Sequence, residues 1–252
     1  MPLPIIFRRQ IVNDSESFQT IVTDFKKPVT LTGLKQVWRG RVVLDIPQLT
    51  LVPGCRYALL GANGSGKSTL MSLLSGRLSA DNGQIGYLPQ KPYAFDLSVS
   101  SNIRLGIPAG LGLPESQKQS LLQDQLESLH LAGLSAARGS RLSGGEAQRM
   151  ALARILVIPR KILLLDEPTS SLDLNGLAQA ETALTSYLSQ NSSLMVLATH
   201  QLSVARRLCD EMIFLDQGHI LAAGPISGLM NPPRDSRLSL FLRYEHGMNS
   251  ME

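Results

Sequence analysis

The chain has 252 residues and a formal net charge of +4. At about 150 residues per domain this length makes one large domain or two unequal ones, ample for a buried core. With 43% apolar and 17% charged residues the chain is not of the disordered class, and so weak a basic excess gives no reason to expect a nucleic-acid partner.

The apolar start, Met1–Phe7, has no positive residues ahead of it, since Arg8 and Arg9 come after, so no secretory signal is expected. Residues 1–28 lack sustained periodicity and read as an N-terminal extension. From Val29 short β-type runs appear: Val29–Leu34, Gln48–Val52 and Arg56–Leu60, broken by Gly40 and by Pro53-Gly54. Cys55 and Cys209, the two cysteines, have no metal-type spacing and are read as reduced thiols without chemistry. After Gly61 the period changes, because Leu70, Leu73 and Leu74 recur at helical spacing up to Gly76.

A strand at Gln84–Leu88 precedes a Pro/Gly-punctuated stretch, Pro89–Pro114, and then a helix over Glu115–Leu131. Gly144–Val157 sets Ala147, Met150, Ala151 and Ile155 on one helical face. Ile162–Leu165 and Leu194–Ala198 are continuous apolar strands flanking the amphipathic Leu174–Leu188, which is a β-α-β unit with parallel strands buried on both faces. Met212–Leu215 and His219–Ala222 around Gln217-Gly218 predict a hairpin. No run reaches the roughly 18 apolar residues of a membrane span; Ile155–Leu165 is interrupted by Pro159, Arg160 and Lys161.

Three segments carry chemistry. Gly61-Ala62-Asn63-Gly64-Ser65-Gly66-Lys67-Ser68-Thr69 matches G-x-x-x-x-G-K-[ST] between a strand and a helix. Its glycines let backbone N–H groups close around phosphate oxygens, Lys67 adds a point charge, and the Ser68 hydroxyl can ligate Mg²⁺. Asp166-Glu167 ends an apolar strand at the carboxyl edge of a parallel sheet, where ligands bind. Asp166 suits the Mg²⁺ shell, and Glu167 suits the deprotonation of a water attacking a γ-phosphate; a pair of capping residues ahead of Pro168 is the plainer alternative. Leu142-Ser143-Gly144-Gly145-Glu146-Ala147-Gln148 opens a helix with a hydroxyl and two glycines, either a simple serine cap or a second anion-receptive N-terminus.

In this order the three segments resemble the nucleotide-binding subunit of ATP-binding cassette (ABC) transporters, over about Val29–Gly224. The resemblance implies an α/β fold: a P-loop NTPase core with a mostly parallel sheet, a small antiparallel β subdomain and a helical subdomain inserted at about 91–141, within an ATPase domain at 29–224 followed by a C-terminal tail at 225–252. It implies that Gly61–Thr69 is the Walker A loop, that Asp166 closes Walker B, and that Ser143, Gly144, Gly145 and Glu146 are the signature. Gln90 corresponds to the glutamine that senses Mg²⁺ and the attacking water, Ser171-Leu172-Asp173 to the D-loop, and His200 to the histidine touching the γ-phosphate. Trp38 stands where the family has an aromatic stacked on adenine, with a core position as its alternative. Only 23 positions separate Lys67 from Gln90, so part of the antiparallel subdomain is expected to be trimmed.

The resemblance further implies ATP and Mg²⁺ as ligands and a head-to-tail dimer, with itself or a similar subunit, that hydrolyses ATP to drive a separate membrane permease from the cytoplasmic face of the cell membrane. Ile85–Tyr93, Leu142–Arg149 and Asn231–Asp235 are similar to tungstate-type oxyanion importers, which implies a solute-binding protein in the same system. The rival reading is a soluble ABC ATPase of iron–sulfur cluster assembly. A GTPase switch is disfavoured because the chain has no Asn-Lys-x-Asp motif. Tyr93 and Phe95, next to Gln90, either dock the permease or anchor the helical subdomain.

Overall fold

The structure, a computed structural model, describes residues 20–21, 27–79, 84–230 and 236–245. A two-residue strand β1 (Thr20–Ile21) is followed by a long antiparallel hairpin of β2 (Val29–Trp38) and β3 (Arg41–Leu51). Arg39 and Gly40 turn it at φ 49° and 75°, the positive backbone angles of a two-residue hairpin loop. Both strands outrun the apolar stretches expected at Val29–Leu34 and Gln48–Val52, because their polar residues pair across the ladder too. Lys35 stands opposite Asp45, for example, with an ion pair at 3.1 Å.

β4 (Arg56–Leu60) leads into α1 (Lys67–Arg77), β5 (Leu78–Ser79) and β6 (Ile85–Leu88). The Pro/Gly-punctuated stretch then holds a short helix α2 (Val99–Arg104), which packs against α3 (Glu115–Ser128) and α4 (Gly144–Leu156). The helix expected over Glu115–Leu131 stops at Ser128, since His130 takes φ 52° and lets Leu129 and Leu131 both turn into the core. β7 (Ile162–Asp166), α5 (Leu174–Gln190), β8 (Leu194–Ala198) and α6 (Leu202–Leu208) follow, then the hairpin β9 (Glu211–Asp216) with β10 (His219–Pro225), and finally α7 (Ile226–Met230) and α8 (Ser236–Glu245).

Six strands form one sheet in the order β10-β9-β4-β8-β7-β6, parallel throughout except for β10. Side chains alternate across a strand, and this divides the apolar runs between two cores. Leu163, Leu165, Met195 and Leu197 join the core beneath the helices, while Ile162, Leu164, Leu194 and Val196 join the core formed with α1 and the β2–β3 hairpin. Burial on both faces is why these strands show no polar alternation. The antiparallel part is small: β2 and β3 form a sheet of two strands.

At the N-terminal end, Thr20–Ile21 of the expected extension pair in parallel with Leu78–Ser79; residues 1–19 and 22–26 lie outside the described residues. The expected tail at 225–252 includes α8, which buries Leu238 and Leu242 and sets the Phe241 ring 5.4 Å from Phe214. Asn231–Asp235 lie outside the described residues. No helix among the described residues is long and apolar enough to cross a membrane.

Candidate active site

The carboxyl ends of β4, β8, β7 and β6 lie side by side in that order, about 4.8 Å apart at each step. Each leads into a singled-out segment: Gly61 follows β4, His200 lies just past β8, Asp166 closes β7 ahead of Glu167, and Gln90 lies two residues past β6. Segments far apart in sequence are thereby gathered along one sheet edge.

The Gly61–Thr69 loop needs its glycines. Gly61, Gly64 and Gly66 take φ 152°, 80° and 109°, and a Cβ on Gly61 would lie 2.1 Å from the Leu215 carbonyl oxygen. The β9–β10 turn braces the loop, as the Gly218 amide donates to the Ser65 carbonyl at 2.9 Å. Lys67 is buried and donates from Nζ to the carbonyls of Gly61 (2.6 Å) and Ala62 (3.2 Å), drawing the loop together. Ala62, Asn63 and Gly64 remain exposed on its rim, and α1 adds the partial positive charge of its N-terminus.

Asp166 is almost wholly buried, and among the described residues its Oδ1 has no hydrogen-bond partner. Burial pushes this carboxyl above the usual carboxylate range; a hydrogen bond from the Ser68 hydroxyl pulls it back, Glu167 adds to the rise, and Lys67 opposes it. A buried carboxylate oxygen without a donor among the described residues, beside a serine hydroxyl, is a pair of oxygen donors of the kind that a hard divalent cation can bind.

Glu167 has a left-handed backbone, φ 51°, and hydrogen bonds engage its amide, its carbonyl and its carboxylate. Its amide donates to the Ala198 carbonyl at 2.8 Å. Its own carbonyl accepts from Ser170 Oγ (3.1 Å), the Ser170 amide (3.3 Å) and Gln148 Nε2 (3.3 Å). His200 Nδ1 lies 2.9 Å from Oε1, and the Thr199 hydroxyl donates to Oε2 at 3.5 Å. The acid is therefore oriented from the strand between β4 and β7, while the His200 side chain stays 48% exposed.

At the start of α4 a reciprocal capping box closes. The Ser143 hydroxyl accepts from the Glu146 amide at 3.3 Å, and the Glu146 carboxylate accepts from the Ser143 amide and hydroxyl, both at 2.8 Å. These bonds, the backbone one foremost, hold the Glu146 carboxyl below its ordinary range. Gly145 lets this turn approach the loop after β7; a Cβ there would lie 3.2 Å from the Ser171 carbonyl oxygen. Asp173 caps α5 by accepting from the Gly176 amide at 2.7 Å. Trp38 is 63% exposed on the β2–β3 hairpin, which removes the alternative of a core position. Among the described residues no hydrogen bond or ring contact joins Trp38 or Gln90 to the acid pair.

Sequence reasoning missed three residues here: Gln148, Thr199 and Gly218. For Gln148 a signal exists, since it stands at helical spacing with Ala151, Leu152 and Ile155 on a packed face, where a polar side chain needs a partner. Gly218 is legible locally only as a hairpin-turn glycine, and nothing local marks Thr199.

The sequence profile of the family described as ABC transporter matches residues 44–170. The chain is 32% identical over 206 residues to the tungstate uptake system ATP-binding protein of Peptoclostridium acidaminophilum, covering 76% of this chain and 96% of that one. This chain belongs to the ABC transporter family. A phosphate import ATP-binding protein of Natronomonas pharaonis is 31% identical to this ABC transporter subunit over 268 aligned positions, covering 94% of each. A solved ATP-binding subunit of an ABC transporter superposes with a TM-score of 0.70 over 88% of this chain and 95% of the other at 20% identity, a likeness of fold. The expected P-loop NTPase fold and the expected ATPase class both stand. Both relatives are named for uptake or import, and nothing found favours the iron–sulfur alternative.

Proposed function

We propose that this chain is the ATP-hydrolysing subunit of an importer, working as a head-to-tail dimer that drives a separate permease from the cytoplasmic face of the membrane. The observation that carries the reading is the buried pair at the end of β7: Asp166 with an unpartnered oxygen, and Glu167 oriented by His200 and by the carbonyl clamp. ATP supplies the phosphoryl bond that is cut, and Mg²⁺ offsets charge on the β- and γ-phosphate oxygens.

The protein's own parts divide the work. Backbone N–H groups of Gly61–Thr69 and the Lys67 ammonium bind phosphate, Ser68 and Asp166 hold the cation, and Gln90 senses that cation and the water. Glu167 orients and deprotonates the water, and His200 moves between Glu167 and the γ-phosphate. Trp38 stacks on the base, its exposure leaving a ring face available. Ser143, Gly144, Gly145 and Glu146, with Asp173, face the nucleotide of the partner chain. That use of a second anion-receptive helix start is the reason one chain has two and a dimer is needed. The importer relatives support a solute-binding protein in the same system, and the tungstate and phosphate relatives support an oxyanion as the solute.

Glu167→Gln tests the reading, because loss of a general base removes hydrolysis and leaves nucleotide affinity. With ATP and Mg²⁺ the variant should turn over about 10²–10⁴-fold more slowly and elute as a dimer on gel filtration. A monomer at saturating ATP sinks the dimer; undiminished turnover sinks the base.

A further inference from the structure

The Glu167 carbonyl receives hydrogen bonds of two different origins. Ser170 belongs to the same loop and contributes its amide and hydroxyl, whereas Gln148 reaches across from α4, the helix that Ser143 caps. Gln148 is 1% exposed, so its side chain lies in the packed interface between α4 and the loop after β7. The same helix touches that loop again where Gly145 approaches the Ser171 carbonyl. Gln148 is the fifth residue of α4 after its Ser143 cap, a separation of about 7.5 Å along a stiff element. At the far end of this link Glu167 holds φ 51°, a conformation that a non-glycine residue keeps only where its surroundings impose it.

In the head-to-tail dimer proposed above, on which this inference rests, Ser143 faces the partner's nucleotide while Glu167 acts on the nucleotide of its own chain. We infer that Gln148 is a positioning residue coupling the two ATP sites: a displacement of the α4 start by the partner's nucleotide reaches the Glu167 carbonyl through the Gln148 amide and resets the carboxylate. Two arrangements of α4 against the loop are then biased by both sites, which is the physical content of coupling. A merely structural glutamine would affect stability and leave the dependence of rate on ATP unchanged in shape.

The test uses the full chain and measures melting temperature, affinity of the isolated monomer for ATP, and hydrolysis rate against ATP concentration. Two interacting sites allow a Hill coefficient of up to 2. The parent should exceed 1. Gln148→Met, similar in length but lacking the donor, should bring the coefficient close to 1 and lower kcat about threefold to tenfold, with monomer affinity unchanged. Ser170→Ala removes a donor to the same carbonyl from an exposed position, so folding is not at issue. It should lower kcat and keep the parent's Hill coefficient, because the α4 link is intact. Loss of cooperativity in Ser170→Ala, a parent coefficient of 1, or a Gln148→Met chain that loses melting temperature but keeps its coefficient each overturns the inference. If Glu167→Gln forms the ATP dimer and these results still go against it, the coupling alone fails. If Glu167→Gln stays monomeric, the dimer reading fails and takes the coupling with it.

Discussion

Asp166 is a side chain whose burial opposes its own ionisation. Its folded pKa is raised mainly by burial, so the native state holds its proton to higher pH than the unfolded chain. Between the two pKa values the folded form binds more protons, and stability falls as pH rises through that window. Above it the ionised carboxylate is a standing cost in the cation-free protein. Asp166→Asn should therefore raise the melting temperature of the nucleotide-free, Mg²⁺-free chain by about 2–4 °C at neutral pH, while abolishing hydrolysis. The gain should disappear in acid, where the parent's carboxyl is protonated as well; a gain independent of pH would point to packing rather than charge. Lys67 is the counterpart with opposite charge. Its ammonium donates to the Gly61 and Ala62 carbonyls, so Lys67→Ala should loosen the loop, abolish ATPase activity and weaken ATP binding, with the far-ultraviolet circular dichroism unchanged.

Among the elements, the segment leading into α2 separates anchoring from display. Asn102 is fully buried and fastens the backbone: its Nδ2 donates to the carbonyls of Phe95 (3.0 Å), Leu97 (3.1 Å) and Ser98 (3.0 Å), and its Oδ1 accepts from the Phe95 amide at 3.0 Å. Arg154 of α4 adds a hydrogen bond to the Tyr93 carbonyl at 2.8 Å and lies 5.2 Å from the Phe95 ring centre. These hydrogen bonds go to backbone groups and not to the rings. The two rings meet edge to face at 4.7 Å, with Tyr93 69% exposed. An exposed aromatic pair on a fastened backbone suits the permease-docking reading better than the anchoring one. Tyr93→Ala with Phe95→Ala should keep the melting temperature and lose co-sedimentation with permease-containing membranes. Asn102→Ala should do the reverse in the first respect, leaving buried backbone groups unpaired at a cost of about 1–3 kcal/mol and lowering the melting temperature measurably. If the double aromatic variant unfolds early while still binding membranes, the rings are anchors.

For the molecule as a whole, the sequence has one G-x-x-x-x-G-K-[ST] segment, at Gly61–Ser68, and one Ser143–Glu146 segment, so the proposed dimer makes a composite prediction. Ser143→Arg and Lys67→Ala should each be inactive alone. Mixed, they form heterodimers in which one composite site has both lesions and the other has none. Recovery of part of the ATPase activity on mixing, measured against each chain alone, is the expected outcome. No recovery despite demonstrated heterodimers would return Ser143 to a role within its own chain.

Much of this molecule is legible in short stretches of its sequence, because the chemistry involved is local. The Gly61–Thr69 pattern states its own backbone requirement, the uninterrupted apolar runs of β7 and β8 declare burial on both faces, and Ser143 with Glu146 announces a capped helix. Resemblance then supplied His200 and Gln90, which no spacing distinguishes from ordinary residues at a strand end. Other features depend on contacts between distant segments, and local patterns do not record those. Strand order inserts β8 between β4 and β7 and so brings His200 onto Glu167. The β9–β10 turn tucks Gly218 against the phosphate loop, and α8 returns Leu238 and Leu242 to the core from what reads as a tail. For Trp38 the local sequence leaves a core position as the alternative to base stacking, and the β2–β3 hairpin exposes it. Propensity and periodicity act over a few residues, while the pairing of strands and the partner of a buried Gln148 are settled by which distant surfaces pack together.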